Sequence, residues 1–211
     1  MDSTDAADLI AELHEDKAEH EAGDRFRNRA ALLIAFLAAI LAIAGLGGGN
    51  ATDDLIGFNI RANDAWSFFQ AKNARQTVYE VAANELEAAL ADPATPAPVR
   101  PQLSARLAEY RATIARYENE PDPEAPNDPS RGEGKRQLRA QAQGFEAARD
   151  RAAEQDNNFD LAEVALQLAL VLGSVAILAL NRLVLIASAL LGAIGAVLTA
   201  NGFLLLFALP L

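Results

Sequence analysis

Cysteine is absent from this chain, which rules out disulfides, thiolate nucleophiles and cysteine-built zinc or iron–sulfur sites. Histidine is nearly absent: His14 and His20 both lie in an acidic N-terminal segment. Basic side chains are too few for a nucleic-acid face, since 18 Lys and Arg stand against 29 Asp and Glu and the net charge is −11. No alternation of apolar and polar residues marks strands, and no glycine-rich loop follows a strand as a phosphate cradle requires. The glycines of "GLGGGNA" close an apolar run instead, where they suit close backbone packing. Neither a nucleophile beside a base nor a convergent ligand set emerges, so the sequence points away from an enzyme, a metal centre and a cofactor.

What the chain holds in excess is apolar sequence, although aromatics make up only 6% of it. "AALLIAFLAAILAIAGL", Ala30 to Leu46, gives about 17 residues and roughly 25 Å of helix, near the lower limit for crossing a bilayer. Leu161 to Leu180 and the run from Leu183 onward are two further candidates, separated only by Asn181 and Arg182 in a tight hairpin turn. The last run reaches Leu209, about 27 residues or ~40 Å, longer than a ~30 Å hydrocarbon core, so it must tilt or release its end into the headgroups. Transmembrane helices are thus expected at 30–47, 161–180 and 183–209. The stretch before the first is too long and acidic for a signal peptide, which makes that span a retained anchor.

Flanking charge sets an orientation. Arg25, Arg27 and Arg29 precede the first span, Asp53 and Asp54 follow it, and Arg182 sits in the hairpin turn. Positive flanks prefer the cytoplasm. Residues 1–29, read as an acidic helix, and the 181–182 turn are therefore expected inside. Residues 48–158 are expected outside, periplasmic or extracellular, on a multi-pass inner-membrane protein.

Between the spans, residues 52–91 contain no proline and one glycine, and read as one helix capped near Asn50 or Thr52. Its apolar stripe runs through Phe58, Ala62, Ala65 and Phe69, then shifts to Ala71, Ala74, Val78 and Val81. "ADPATPAPVRP" stops it with four prolines. A helix over 101–119 carries the regular stripe Leu103, Leu107, Tyr110, Ile114 and Tyr117. The acidic, proline-rich "EPDPEAPNDPSRGEG" reads as a mobile loop, and a helix over 133–158 leads into the second span. The fold expected is all-α: three transmembrane helices and a coiled-coil-like stalk in which one long helix faces two shorter antiparallel ones.

"NDAWSFFQAKNARQTVYE" concentrates rings among polar side chains just beyond the first span. The commonest use of such rings is packing against small residues of returning helices. A partner or ligand site would instead use Trp66, Phe69, Gln70, Lys72 and Arg75 against something polar or anionic. In the third span Ser188, Gly192, Ala196 and Ala200, widened by Gly195 and Thr199, form a small-residue strip suited to helix packing. Glu163, Gln167 and Asn201 are the intramembrane polar groups that a pore would use. Glu12, Asp16 and His20 share a helical face, but exposed carboxylates without a closed shell bind metal poorly, and no metal site is assigned.

"GGGNATDD" and "WSFFQAKNARQTVYE", with the anchor before them and the apolar pair after, resemble an uncharacterised bacterial membrane-protein family known as domain of unknown function 4337. The resemblance spans essentially the whole chain and implies a three-span protein with a helical extramembrane region. It implies that Asn50, Trp66, Gln70, Ala71, Lys72 and Gln76 belong to the family's signature helix, and it brings no activity or catalytic residue. The expected function is non-enzymatic: a structural, assembly or accessory subunit contacting lipid and other chains as a homo-oligomer or within a larger membrane complex. The alternative is a small homo-oligomeric channel or transporter lined by Glu163, Gln167 and Asn201.

Overall fold

A computed structural model describes the backbone of residues 3–209 and the side chains of Lys17 and of residues 20–209. The side chains of Glu12, His14 and Asp16 lie outside the described residues, so of the face read for Glu12, Asp16 and His20 only His20, which is exposed, is described. Among the described residues four helices account for the fold: α1 (Ser3–Ala91), α2 (Arg100–Glu118), α3 (Lys135–Ala179) and α4 (Arg182–Leu204). No strand occurs among the described residues, only one isolated bridge between Pro121 and Gly132. The all-α reading of the sequence holds. Stretches of α1, α3 and α4 are each long and apolar enough to cross a membrane.

Helix α1 continues through Gly47–Asn50, where the sequence suggested a fresh helix start. Three successive glycines cost a helix interior about 3 kcal/mol relative to alanine, so something else must hold the turn. Proline ends the helix instead. Arg100, at the start of α2, donates to the carbonyls of Leu90 (2.9 Å), Asp92 (2.7 Å) and Thr95 (3.2 Å), which satisfies acceptors left open at the α1 terminus.

The contacts divide the chain into two compact units, Met1–Asp53 with Ala152–Leu211, and Asp54–Arg151. The first packs the apolar part of α1 against α3 and α4 around Leu37, Ala44, Ala51, Phe159, Ala162, Leu166 and Ala169. Leu180 adopts a left-handed conformation (φ 49°) to reverse the chain. Asn181 then caps α4 by accepting from the amides of Leu183 (2.9 Å) and Val184 (3.4 Å). Although the apolar run continues to Leu209, α4 stops at Leu204, and Leu205 takes the left-handed conformation (φ 47°).

In the second unit two shorter segments run antiparallel to α1. Glu87 pairs with Arg111, Tyr79 meets Tyr110 and Tyr117, Lys72 meets Glu120, Asn73 accepts from Lys135, and Trp66 donates to Glu146. The packed face of α1 departs from the expected stripe after Phe69. Val78 and Val81 are exposed, and the buried positions pass through Lys72, Gln76 and Ala83. Spacings of three and four continue from Ala62 and Ala65, but polar letters fill two of the core positions, which apolar periodicity cannot detect. The loop read as mobile is a chain of closed turns. Ala125, Asp128 and Arg131 donate in succession to Asp122, Ala125 and Asp128, and the Glu133 amide closes on the Glu120 carbonyl at 2.9 Å. Gly132, at φ 120°, lies against the Glu120 carbonyl where no side chain would fit.

Candidate functional site

Helical spacing brings the ring-rich segment of α1 to a polar and aromatic layer inside the second unit. Trp66 stacks edge-on against Phe69 at 5.6 Å, and its indole N–H donates to Glu146 Oε1 at 2.8 Å. Lys72, only 7% exposed, places Nζ 3.0 Å from Glu120 and 3.8 Å from Glu133, beside the Tyr117 ring. A buried ammonium survives only when paired in this way. Gln76 is buried too, donating to Glu80 at 3.1 Å, while its Oε1 has no partner among the described residues. Next to this layer Gln137 ties α3 to the end of α2 through Asn119 Oδ1 (2.8 Å) and the Glu120 amide (3.3 Å).

Of the five side chains singled out for partner contact, Trp66, Phe69 and Lys72 are thus engaged within their own unit. Gln70 and Arg75 are exposed. Lys72 is held by the carboxylates of Glu120 and Glu133, and the layer offers charge neutralisation and packing. Glu118 shows the same pattern nearer the surface. Burial pushes its carboxyl up, but Lys135, bonded at 3.2 Å, and then Arg136 more than offset this and hold it below the usual carboxylate range. Asp128 is lowered by the hydrogen bonds of Ser130.

In the first unit the three polar residues singled out for a pore have different surroundings. Asn201 is 1% exposed and fully used. Its amide donates to Asn158 Oδ1 (2.7 Å) and the Phe207 carbonyl (2.9 Å), and its oxygen accepts from the amides of Leu206 (2.8 Å) and Phe207 (3.1 Å). It is the fastener that folds the chain back after α4. Glu163 is half-buried with its carboxylate beside Gly45 and Gly48, and Gln167 is exposed.

Ser188 and Gly192 of the small-residue strip are buried, Ala196 is half-buried and Ala200 is exposed. The buried line runs instead through Ser188, Gly192, Gly195, Thr199 and Gly202. A step of four residues overshoots a helical turn by about 40°, so an every-fourth pattern leaves the contact face within three steps. Ser188 Oγ donates across to the Ala169 carbonyl at 2.6 Å.

The residue that sequence reasoning missed is Phe159. It is 2% exposed and edge-on to Phe203 at 4.8 Å. A Cβ at Gly47 or Gly202 would fall 2.5 or 2.6 Å from its ring, and one at Gly48 3.3 Å from its Cβ. Glycines on α1 and α4 therefore form the two sides of a slot for one ring on α3. The triple glycine was the available signal, but nothing in a single sequence says which ring fills the slot.

With this geometry in place, comparison with known proteins is informative at the level of family. Residues 26–205 match the family described as domain of unknown function 4337, and the chain belongs to it. No curated protein and no solved structure matches the chain.

Proposed function

We propose that this family member is a three-span protein of the bacterial inner membrane, serving as an assembly or accessory subunit that presents a helical projection to other chains. One observation carries the membrane part: the first unit is built inside out. Beside Leu37, Phe159 and Leu166, its interior is lined with the small residues Ala30, Ala44, Ala162, Ala169, Ala176 and Ser188, whereas Leu32 is 72%, Phe36 64%, Leu178 86% and Leu183 77% exposed. Water would drive those leucines inward. Lipid does not distinguish them from itself, and association between spans then rests on small residues that let backbones approach. The flanking arginines support an orientation with residues 1–29 and the 181–182 turn in the cytoplasm and residues 48–158 outside.

The partner-facing role passes to side chains that the second unit leaves outward. Phe68, Arg75 and Val78 recur along α1 at spacings of seven and three; Phe68 is 52% and Val78 68% exposed. Two exposed apolar side chains flanking the Arg75 charge on a water-facing helix support contact with another protein. Native mass measurement of gently solubilised chain tests this: copies or companions held together support it, and a lone monomer contradicts it. The channel alternative requires Asn201 in an aqueous path, and the four internal hydrogen bonds of its amide weigh against that. Ion flux through liposomes that changes with Glu163→Ala would restore it.

A further inference from the structure

Two stretches more than 150 positions apart, the last turns of α1 before its apolar run and the start of α4, flank an open cavity of about 520 Å³ whose arginines are exposed. Arg25, Arg29 and Arg182 converge on it, with Phe26, Leu185 and Ile186 forming apolar wall. Among the described residues no acidic one lines it, although the chain carries a net charge of −11. Arg25 has one carboxylate near, Glu21 at the long distance of 3.8 Å, and it also donates to the Glu21 carbonyl at 3.1 Å. Arg29 and Arg182 have no ion-pair partner among the described residues. Arg27, in the same basic run, is spent on Asp24 at 3.4 Å and does not line the cavity. Three guanidinium forks from two segments, only Arg25 of them with a carboxylate near, backed by apolar side chains, match a phosphodiester that continues into hydrocarbon. The volume falls within the usual ~300–1,000 Å³ of small-molecule sites.

We infer that this cavity binds the headgroup of an anionic phospholipid, with Arg25, Arg29 and Arg182 on the phosphate and Phe26, Leu185 and Ile186 along the first carbons of its chains. The inference rests on the membrane reading above. Positive flanks oriented by charge alone would attract an anionic leaflet diffusely, each basic side chain contributing roughly fivefold whatever its position. A site discriminates among arginines; a diffuse field does not.

The test reconstitutes the full chain into bilayers of equal parts phosphatidylglycerol and phosphatidylcholine, then counts lipids retained after detergent extraction by native mass spectrometry. One retained phosphatidylglycerol is expected. It should be lost by more than the roughly hundredfold that three arginines at fivefold each would give diffusely in the Arg25→Gln/Arg29→Gln/Arg182→Gln variant, and unchanged in Arg27→Gln. Arg182→Lys, which keeps the charge and the fold but loses the fork, should retain less than the unaltered chain. Equal losses from Arg27→Gln and Arg182→Gln, equal retention of the two lipids, or displacement by millimolar inorganic phosphate would each overturn the proposal. A chain that stays in the aqueous fraction refutes the membrane reading and the site with it, whereas entry into bilayers without lipid preference refutes the site alone.

Discussion

Gly202→Ala should destabilise the first unit, and it should stop doing so when the Phe159 ring is gone. The new Cβ would sit 2.6 Å from Phe159 Cε1 and 2.7 Å from Cζ, distances that real Cβ atoms do not show. The ring has little room to yield, because Gly47 on α1 approaches the same two ring atoms and Phe203 stands edge-on at 4.8 Å. Overpacking of this kind costs about 1–3 kcal/mol. Phe159→Ala alone removes a fully buried ring and should cost about 3–5 kcal/mol. In the double variant the clash disappears, so its cost should fall short of the sum by about 1–3 kcal/mol. Dodecyl sulfate titration of the micelle-solubilised chain measures each corner of the cycle. Far-UV circular dichroism reports the helices, and one cysteine placed at Ala165 in every variant reports opening of this unit. Strictly additive costs, or a Gly202→Ala chain as stable as its parent, would refute the slot as the reason α1 and α4 carry glycine here.

Asn201→Leu should cost about 2–4 kcal/mol in the same titration, near 1 kcal/mol for each hydrogen bond lost, and Asn201→Asp should lose the bonds to Asn158 and the Phe207 carbonyl while keeping both amide contacts. Glu120→Ala should destabilise the second unit by about 2 kcal/mol, since Lys72 then stays buried with only the more distant Glu133, and thermal melting followed by Trp66 fluorescence would measure it. Glu118 has a folded pKa below its unfolded one, so its contribution is present above the unfolded value and is lost as pH falls through the folded value. Melting temperature should therefore hold near neutrality and fall below about pH 4, and Glu118→Gln should flatten that acid limb.

The helical fold was legible because its signals are local. Prolines at 93, 96, 98 and 101 end α1 and open α2, and Asn181-Arg182 marks the hairpin turn between α3 and α4. The packed face of α1 beyond Phe69 was not legible, because Lys72 and Gln76 stand where apolar letters were sought and depend on Glu120 and Glu80, 48 and 4 residues away. The same limit applies to Asn201. As a letter in an apolar run it suggests a water path, and only the return of residues 206–207 shows what its amide holds. The strip on α4 was half legible: small residues mark a contact face, but the true line alternates steps of four and three. The arginine cavity was invisible as a cavity, since Arg25 and Arg182 are joined only by folding.

The absence of cysteine makes the decisive measurement simple, because any thiol introduced is the sole one in the chain. Single cysteines replace exposed Asn28, just before the apolar part of α1, and exposed Ala112 on α2. Each is exposed in intact wall-stripped cells to a membrane-impermeant maleimide, then again after permeabilisation. The account predicts that Ala112→Cys labels at once and Asn28→Cys only after permeabilisation. Labelling of both before permeabilisation, or recovery of the chain in the soluble fraction, would contradict it.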